Sequence, residues 1–324
     1  MKKININHIC LFLLFIWTNS SCAQNNVNDE PVVVTEKSYK TTTEAYTTPG
    51  ILSAMTYNIL WDKTTTGDTQ WSYRRPGLIH LLQRHHPDVI GIQEGFLNQL
   101  EDINDSLQYQ YFGYGTDDGK LNTDNPSRSE SMNPIFYNPD RLTLLDKGVF
   151  WYSDNHQNIP DKTGYTDTHF RNCVWGKFQE KSVNGQIIYV FNTHFCLYET
   201  DRQKQAALLL SKIREIAGET AVTIVTGDFN AIYKSDKGYN FLTDTSNPMR
   251  LVNSKDICTS SHIGPTGSGV GIKPVGEGGN NEIDHVFVRN IRSCIKHKTI
   301  NDYERAYYPS DHLPVLGVLS FGTN

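Results

Sequence analysis

The stretch from Ala221 to Ala231, AVTIVTGDFNA, ends with two side chains that could do chemistry. Val222 to Thr226 are mostly β-branched, which predicts a buried strand, and Asp228 and Asn230 follow at its end. Residues two apart on an extended backbone point to the same side. The Asp228 carboxylate could therefore take a proton from a water molecule that the Asn230 amide orients. The alternative is a turn in which both side chains bond only their own backbone.

The other predicted strands also carry acids, amides or imidazoles, mostly at their ends. These residues are Asn58 after the stretch from Ile51, Glu94 after Val89–Gln93, His194 after Gly185–Thr193, Asp284 and His285 within Glu282–Val288, and Asp311 and His312 before the last strand. Glu130 precedes a short strand at Pro134–Tyr137, and Arg171 opens another. An acidic group that ends a buried strand must be exposed, paired or bound to a metal. For the asparagine amides and His194, the alternative role is a structural hydrogen bond. For Arg171, the alternative is an ion pair with a carboxylate.

Helices are predicted between these strands. Apolar residues recur at helical spacing over 74–86, 97–107 and 200–217, and Gly218 ends the last of these helices. Strand and helix alternate from Ile51 onward, which is typical of an α/β fold. Residues 113–131 and the glycine-rich stretch 259–281 are predicted loops, the second long, mobile and near the site. The second loop has no lysine at the spacing of a nucleotide-binding P-loop.

The amino terminus has the composition of an export signal. Lys2 and Lys3 precede the apolar run Ile9–Trp17, and small residues follow. We therefore expect a signal peptide at 1–22, a flexible polar tether at 23–49 and one folded domain at 50–324. Cys22 after two serines resembles a lipoprotein cleavage site, and cleavage after Ala23 is the alternative. The expected location is outside the cytoplasm: secreted, periplasmic, or held on the outer membrane or cell surface by a lipid on Cys22. We expect a monomer.

Charge and cysteine content narrow the classes of function. Loss of Lys2 and Lys3 with the signal changes the net charge from −5 to −7, with 28 basic and 35 acidic residues left. A duplex-DNA binder normally shows a basic surface, so this composition disfavours one. Four cysteines remain beyond residue 22, at 173, 196, 258 and 294. They allow three pairings, and the sequence does not choose among them.

The candidate residues together favour metal-assisted hydrolysis. Zinc motifs such as HExxH or paired CxxC are absent from the sequence, and no serine or cysteine lies in a nucleophile-elbow context. Carboxylate and amide oxygens suit Mg²⁺, and also Mn²⁺, in sites that engage phosphate. Attack of water on a phosphate ester is the reaction that fits this set best.

Six short motifs occur in an order that resembles the endonuclease/exonuclease/phosphatase superfamily. They are TYN with Asn58, IQE with Glu94, NTHF with His194, GDFN with Asp228 and Asn230, IDH with Asp284, and SDH with Asp311 and His312. Members include DNase I, AP endonucleases, inositol polyphosphate 5-phosphatases and neutral sphingomyelinases. The resemblance covers about residues 51–321. It implies a DNase I-like, four-layer αββα sandwich: two mixed β-sheets face to face with helices outside.

The same resemblance implies a role for each site residue. Glu94, as principal ligand, would hold Mg²⁺ with Asn58 and Asp311. Asp228 would orient or deprotonate the attacking water, and Asn230 would contact the phosphate. His194 and His312 would stabilise charge on phosphate oxygens, His312 oriented by Asp284 and His194 by Glu130. Arg171 would bind a phosphate oxygen, and His285 would be structural.

The expected activity is hydrolysis of a phosphate ester, from a nucleic acid or a small phosphorylated molecule. A phosphodiesterase of the nuclease type is the first candidate. A phosphomonoesterase on an inositol or sugar phosphate is the second. A phospholipase would need an exposed apolar insertion, which the sequence lacks. A catalytically inactive surface-binding module is the alternative from another class, although every acid and histidine that the chemistry needs is present. The low positive charge and the 259–281 loop, which differs from the Gly-Thr-Phe segment of many relatives, both disfavour DNA as the substrate.

Overall fold

Two six-stranded sheets of mixed direction form the centre of the computed structural model. It describes residues 45–321 apart from 64–66, 68, 125–127, 129, 156–157, 182–184, 272–273, 277–278 and 280. These residues all belong to one compact unit, residues 36–324. The predicted signal peptide and residues 23–44 of the predicted tether lie outside the described residues. Among the helices of the described part, none combines the length and apolar character needed to cross a membrane.

The first sheet contains both the first and the last strands of the domain. Its strands, in spatial order, are β11 (Ser293–Thr299), β12 (Val315–Ser320), β1 (Ile51–Asn58), β2 (Val89–Gln93), β4 (Ile135–Tyr137) and β3 (Gln110–Phe112). The neighbours β1 and β2 are parallel, whereas the other pairs are antiparallel. Since β1 and β2 are parallel, Asn58 and Gln93 end them side by side.

The second sheet is built from the middle of the chain. Its strands, in spatial order, are β5 (Leu142–Trp151), β6 (Asn172–Glu180), β7 (Ile187–His194), β8 (Val222–Asp228), β10 (Asp284–Arg289) and β9 (Val252–Asn253). Here β7 and β8 form the parallel pair. Valine, isoleucine and aromatic side chains from the facing sides of both sheets make the central core.

Helices cover the outer face of each sheet. Those of the described residues are α1 (Trp71–His85), α2 (Leu97–Leu107), α3 (Glu199–Ala217) and α4 (Lys237–Thr243). Apolar residues of α1 and α2 pack on the first sheet, and those of α3 and α4 pack on the second. The expected four-layer αββα sandwich is therefore confirmed.

The glycine-rich stretch 259–281 lies against the segment just before the last strand where its described residues can be followed. The backbone amides of Val270 and Gly271 donate to the carbonyl of Asp311 at 2.9 and 2.8 Å, and that of Leu313 donates to Ser268 at 2.8 Å. The Ser268 hydroxyl accepts the amide of Asp284 at 3.0 Å. The stretch thus lies beside the predicted site, as expected, while its mobility stays a prediction.

Candidate active site

Strand register brings the candidate residues to one edge of the sandwich. Asp228 ends β8 and is paired on one side with His194 of β7 and on the other with Asp284 of β10. Asn58 at the end of β1 reaches the same point from the facing sheet, because its amide nitrogen donates to Asp228 Oδ2 at 3.0 Å. Residues 170 positions apart in the chain therefore meet only because both sheets end here.

Asp228 lies at the centre of this cluster and is almost fully buried. Its Oδ2 lies 3.3 Å from His194 Nε2 and 3.7 Å from His312 Nε2, while Oδ1 accepts the backbone amide of Asn230 at 2.9 Å. Burial raises the pKa of the Asp228 carboxyl to about 7, although the positive charge of His312 opposes the shift. A carboxylate with a pKa near neutrality suits proton transfer from water.

Glu94 and Asn58 form the part of the cluster on the first sheet. Asn58 Nδ2 donates to Glu94 Oε1 at 3.0 Å as well as to Asp228, so one amide group bridges the two carboxylates. Glu94 has a positive φ of 61°, and so has Asn230, with 48°. Such left-handed backbone is uncommon for residues other than glycine and concentrates at functional sites. At Glu94 it turns the carboxylate toward Asn58.

Asp284 and His312 form a carboxylate–imidazole pair. Asp284 Oδ2 lies 2.8 Å from His312 Nδ1, which is the contact expected from the sequence. Burial disfavours the charged form of His312, but the charges of Asp284 and Asp228 outweigh it and raise its pKa well above the ordinary value. His312 therefore carries a proton on Nε2 that faces Asp228.

His194 is in the opposite electrostatic situation. Burial lowers the pKa of His194 well below its ordinary value, and the charges of Arg171, His312 and His169 lower it further. Its imidazole is thus neutral near pH 7. The sequence had predicted an imidazole oriented by the Glu130 carboxylate here.

Glu130 does not hold His194, contrary to the predicted pairing. Its Oε1 instead accepts the backbone amides of Asp117, in a short contact, and of Asp118 at 2.8 Å. The described residues contain no hydrogen bond between Glu130 and His194. The physical reason is local, because the backbone amides of Asp117 and Asp118 lie close enough to donate to the Glu130 carboxylate. Burial raises the pKa of Glu130 to about 7 even so.

Arg171 and Asp311 have local partners as well. Arg171 Nε donates to Asp167 Oδ2 at 2.9 Å, yet the side chain also lines the pocket beside His194. The Ser310 hydroxyl lies 2.7 Å from the carbonyl oxygen of Asn58 and 3.2 Å from Asp311 Oδ1. Ser310 thereby places Asp311 next to the end of β1.

A polar network beneath the cluster connects the two sheets. Gln93 Nε2 donates to Asn192 Oδ1 at 2.7 Å, and Thr226 donates to the same oxygen at 3.1 Å. A Cβ atom at Gly91 would lie 2.3 Å from that oxygen, so only glycine permits this approach. Gln93 and Asn192 had no role predicted from the sequence. Their place inside the IQE and NTHF motifs was the available signal.

The cluster opens into one pocket of about 310 Å³. Its base holds Glu94, Asp228, Asn230, His194 and His312. Its walls carry Glu130 and Arg171, which were candidates from the sequence. They also carry residues without a predicted role: Trp61, Lys63, Thr116, Asp117, Ser131, Asn133, His169, Phe170 and Leu197. His285 does not line it. That imidazole is buried and bonded to the carbonyl of Ala231 at 2.9 Å.

Asp228, Asp284 and His312 also meet the geometric condition for a shared metal ion. Each offers a ligand atom within 4.8 Å of the other two. The hydrogen bond between Asp284 and His312 explains the same closeness without an ion. A protonated imidazole has no lone pair for a metal, so His312 is a poor ligand in this state.

The fold and the site together define a class of enzymes: metal-dependent phosphoesterases with a double-sheet sandwich. The profile of the Endonuclease/Exonuclease/phosphatase family matches residues 55–312, and the chain belongs to this family. A family protein of Bacteroides thetaiotaomicron has a similar crystal structure, with a TM-score of 0.74 and 28% identity, covering 84% of this chain and 95% of that one.

Two other relatives carry named activities. A mannosyl-6-phosphatase of B. thetaiotaomicron is 28% identical, with a TM-score of 0.73, covering 83% of this chain and all of the other. The exoribonuclease subunit Ccr4 of the CCR4-Not complex from Emericella nidulans is 25% identical over 194 residues, 52% of this chain. The match spans 28% of the length of Ccr4.

Proposed function

We propose that the protein is a Mg²⁺-dependent phosphomonoesterase that acts on a small, polyhydroxylated phosphate ester. The observation that carries this proposal is the pocket: an acid–imidazole cluster at the base of a cavity of about 310 Å³. A cavity of this size suits a small molecule. Nucleic acid would need a longer surface with many cations, and the chain as a whole has a net charge of −5.

The donor atoms at the base fit a hard divalent cation. The oxygens of Glu94 and Asp228 approach the same Asn58 amide group at 3.0 Å each, and Asp311 lies beside the end of the same strand. Carboxylate and amide oxygens are the ligands of Mg²⁺ and Mn²⁺. We assign Glu94 as the principal ligand, with Asp311 and Asn58. The Asn58 side chain now turns its nitrogen toward the carboxylates of Glu94 and Asp228 and its oxygen toward the amide of Leu60, so the oxygen becomes a ligand only after the side-chain amide turns. When bound, Mg²⁺ would neutralise phosphate charge and polarise the phosphorus–oxygen bonds.

The protein groups have separate tasks in the proposed reaction. Asp228 accepts a proton as water attacks phosphorus, and Asn230 contacts the phosphate from the same loop. The protonated His312 donates from Nε2 to a phosphoryl oxygen and stabilises the charge that develops there. His194 donates as a neutral imidazole, and Arg171 binds a phosphate oxygen from the wall. The leaving alkoxide takes a proton from solvent water and Asp228 returns its proton to solvent, so the products are inorganic phosphate and the alcohol.

Part of the pocket wall is suited to hydroxyl groups. Thr116, Asp117, Glu130, Ser131 and Asn133 line it. These side chains include donors and acceptors, and a hydroxyl group can donate or accept, so a polyhydroxylated substrate can pair with them. The similarity to a mannosyl-6-phosphatase supports the same kind of leaving group.

A phosphodiesterase remains the second candidate, although it was first on sequence grounds. Trp61 and Phe170 line the pocket, and flat aromatic faces can stack on nucleotide bases. The partial similarity to an exoribonuclease subunit also favours this candidate. The pocket contains only two side chains that are always cationic among its described lining, Lys63 and Arg171. This number is small for a polyanionic substrate.

Paired substrates distinguish the two candidates. We would measure kcat/KM with Mg²⁺ for mannose 6-phosphate and p-nitrophenyl phosphate, against bis-p-nitrophenyl phosphate and single-stranded oligonucleotides. Turnover of the monoesters at least tenfold above the diester is expected, with loss in EDTA and recovery on adding Mg²⁺. A preference for the diester or the oligonucleotides would replace the proposal with the second candidate.

Matched variants link the activity to the site. Asp228→Asn should lower kcat by about 10³-fold, since it removes the proton acceptor but keeps the size of the side chain. Asp256→Asn is the control, because Asp256 contacts Lys234 at the surface outside the pocket and should leave kcat unchanged. If no ester is hydrolysed and calorimetry detects no Mg²⁺ binding, the protein is instead an inactive binding module.

A further inference from the structure

The segment from Ile257 to Ile263 runs along the free edge of β11 in the first sheet. The amide of Thr259 donates to the carbonyl of Cys294 at 2.8 Å, and that of Ile263 donates to His297 at 3.0 Å. These bonds place Cys258 directly across from Cys294 as partners in a parallel bridge. The segment therefore brings together two of the four cysteines that follow residue 22.

The two thiols also share their surroundings. Cys294 is fully buried in the core between the sheets, and Cys258 packs against that core from the edge. Neighbouring strands lie about 4.8 Å apart, within the Cα separation of about 4.4–6.8 Å that a disulfide spans. Burial raises the pKa of the Cys294 thiol, and the adjoining Cys258 raises it further.

Within the described part of the chain, Cys173 and Cys196 have no such cysteine partner. The Cys173 sulfur lies 3.8 Å from the carbonyl oxygen of Val174, and the Cys196 sulfur lies 3.3 Å from that of Tyr198. Both are buried in or beside the second sheet, and neither forms a bridge with a cysteine among the described residues. Among the described residues, Cys258 and Cys294 are thus the one pair of cysteines placed for a bond, and no complete pairing of the four is formed.

We propose that Cys258 and Cys294 form a disulfide bond when the chain meets a low-molecular-weight disulfide such as glutathione disulfide. The partly exposed Cys258 thiolate attacks one glutathione sulfur and expels the first glutathione thiolate. Cys294 then loses its proton and attacks the sulfur of Cys258, which releases the second glutathione. Two cysteine thiols are oxidised and one glutathione disulfide is reduced to two thiols. Export, predicted from residues 1–22, would expose the chain to oxidants of this class.

The bond would fix the start of the segment that supports the active site. Beyond Ile263 the chain leads to Ser268, whose hydroxyl accepts the amide of Asp284. Its carbonyl accepts the amide of Leu313, next to His312. A covalent link at Cys258 restricts this connection in the unfolded chain and so favours the folded form.

Peptide mapping tests the proposal directly. The full chain would be purified reduced, equilibrated with excess glutathione disulfide, quenched in acid, alkylated in denaturant and digested. Mass spectrometry should find one cross-linked pair of peptides, carrying Cys258 and Cys294, that disappears on reduction. Cys173 and Cys196 should be alkylated. Alkylation at all four positions, a cross-link to Cys173 or Cys196, or a stable glutathione adduct on Cys258 would each overturn the proposal.

Thermal unfolding supplies an independent readout. Reduction should lower the Tm of the oxidised wild-type chain by about 5 °C or more. Cys258→Ser should unfold at one Tm with or without reductant, while Cys196→Ser, the matched control, should keep the difference. Zinc that co-purifies with the chain and shields both thiols would contradict the disulfide, since His262 and His297 lie nearby with their Nδ1 atoms 2.9 Å apart.

Discussion

The two histidines of the active site, His312 and His194, flank the same carboxylate but carry different charges. His312 Nε2 lies 3.7 Å and His194 Nε2 lies 3.3 Å from Asp228 Oδ2. Behind His312 stands Asp284, which raises its pKa, whereas His194 faces Arg171, which lowers its pKa in addition to the effect of burial. Because burial disfavours the charged form of both imidazoles, the charge behind each one, rather than its distance to Asp228, accounts for the opposite directions of the two pKa shifts.

This asymmetry implies a division of labour. A protonated His312 offers a charged donor, and charge-assisted hydrogen bonds are about twice as strong as neutral ones. His194 offers a neutral donor, and the positive charge on its side of the pocket comes from Arg171 instead. The phosphate would therefore be held between two cations, His312 and Arg171, with the neutral imidazole between them.

The largest expected effect compares the two histidines directly. His312→Gln should lower kcat for a phosphate monoester by about 10³-fold, and His194→Gln by about 10²-fold, because only the first change removes a charged donor. Steady-state kinetics at pH 7 with saturating Mg²⁺ would measure both, with circular dichroism to confirm folding. Equal losses would show that the two imidazoles are equivalent in the loaded enzyme.

The second effect concerns the carboxylates behind the imidazoles. Asp284→Asn removes the charge that raises the pKa of His312, so this pKa falls and the protonated form is lost at a lower pH. The basic limb of the kcat profile should move toward acid, with activity close to wild type near pH 6 and about tenfold lower at pH 8.

Glu130→Gln is the matched control for that shift. Glu130 bonds the amides of Asp117 and Asp118 rather than His194, so its replacement should leave the position of the basic limb unchanged. A shift in Glu130→Gln as large as in Asp284→Asn would mean that Glu130 does act on His194, as the sequence first indicated.

The sequence predicted well those features that depend on local patterning. The strands that end in Asn58, His194 and Asp228 were predicted to within a few residues, because apolar runs followed by a polar residue mark a strand end. The family motifs then indicated the αββα sandwich. The contact of Asp284 with His312 was expected from the same resemblance.

The features that were not predicted depend on strand bulges and on contacts between loops, which local sequence patterns do not encode. Strands β5 and β11 were missed because charged residues such as Asp146 and Lys296 interrupt their alternation, and bulges shift their register. The predicted pairing of Glu130 with His194 was wrong, because two nearby backbone amides donate to the Glu130 carboxylate instead. Arg171 was expected on the phosphate, and its bond to Asp167 depends on how the chain between these two residues turns, which local patterns do not encode.

A third, smaller effect tests Arg171, the cation beside His194 in the pocket. Arg171→Met should raise KM for a phosphate monoester by about tenfold with little change in kcat, because the guanidinium binds the phosphate in ground state and transition state alike. Substrate titrations at pH 7 would separate the two constants. Arg289→Met is the control, because Arg289 lies at the other end of β10 from Asp284. This change should leave both KM and kcat unchanged. A fall in kcat alone would assign Arg171 to the transition state.

The smallest effect extends the comparison to His297, an imidazole that has no carboxylate behind it among the described residues. His297 is buried beside His262, and burial followed by the charges of His262, Lys255 and His285 lowers its pKa to about 3. The His262 Nε2 must donate to the carbonyl of Pro265 at 2.8 Å, so in a neutral pair His297 Nδ1 donates to His262 Nδ1. His297 is therefore neutral in the folded protein near pH 7.

The sign of the resulting pH dependence follows from the lowered pKa. Between the unfolded pKa of about 6.5 and the folded pKa of about 3, the unfolded chain binds the proton and the folded chain does not, so stability falls as pH falls. His297→Asn keeps a donor in the place of Nδ1 but cannot titrate. Between pH 7.5 and pH 5, the free energy of unfolding in urea should decrease by about 2 kcal/mol more for the wild type than for the variant. Parallel decreases in the two proteins would mean that His297 becomes protonated in place, and that burial without a carboxylate does not by itself keep an imidazole neutral.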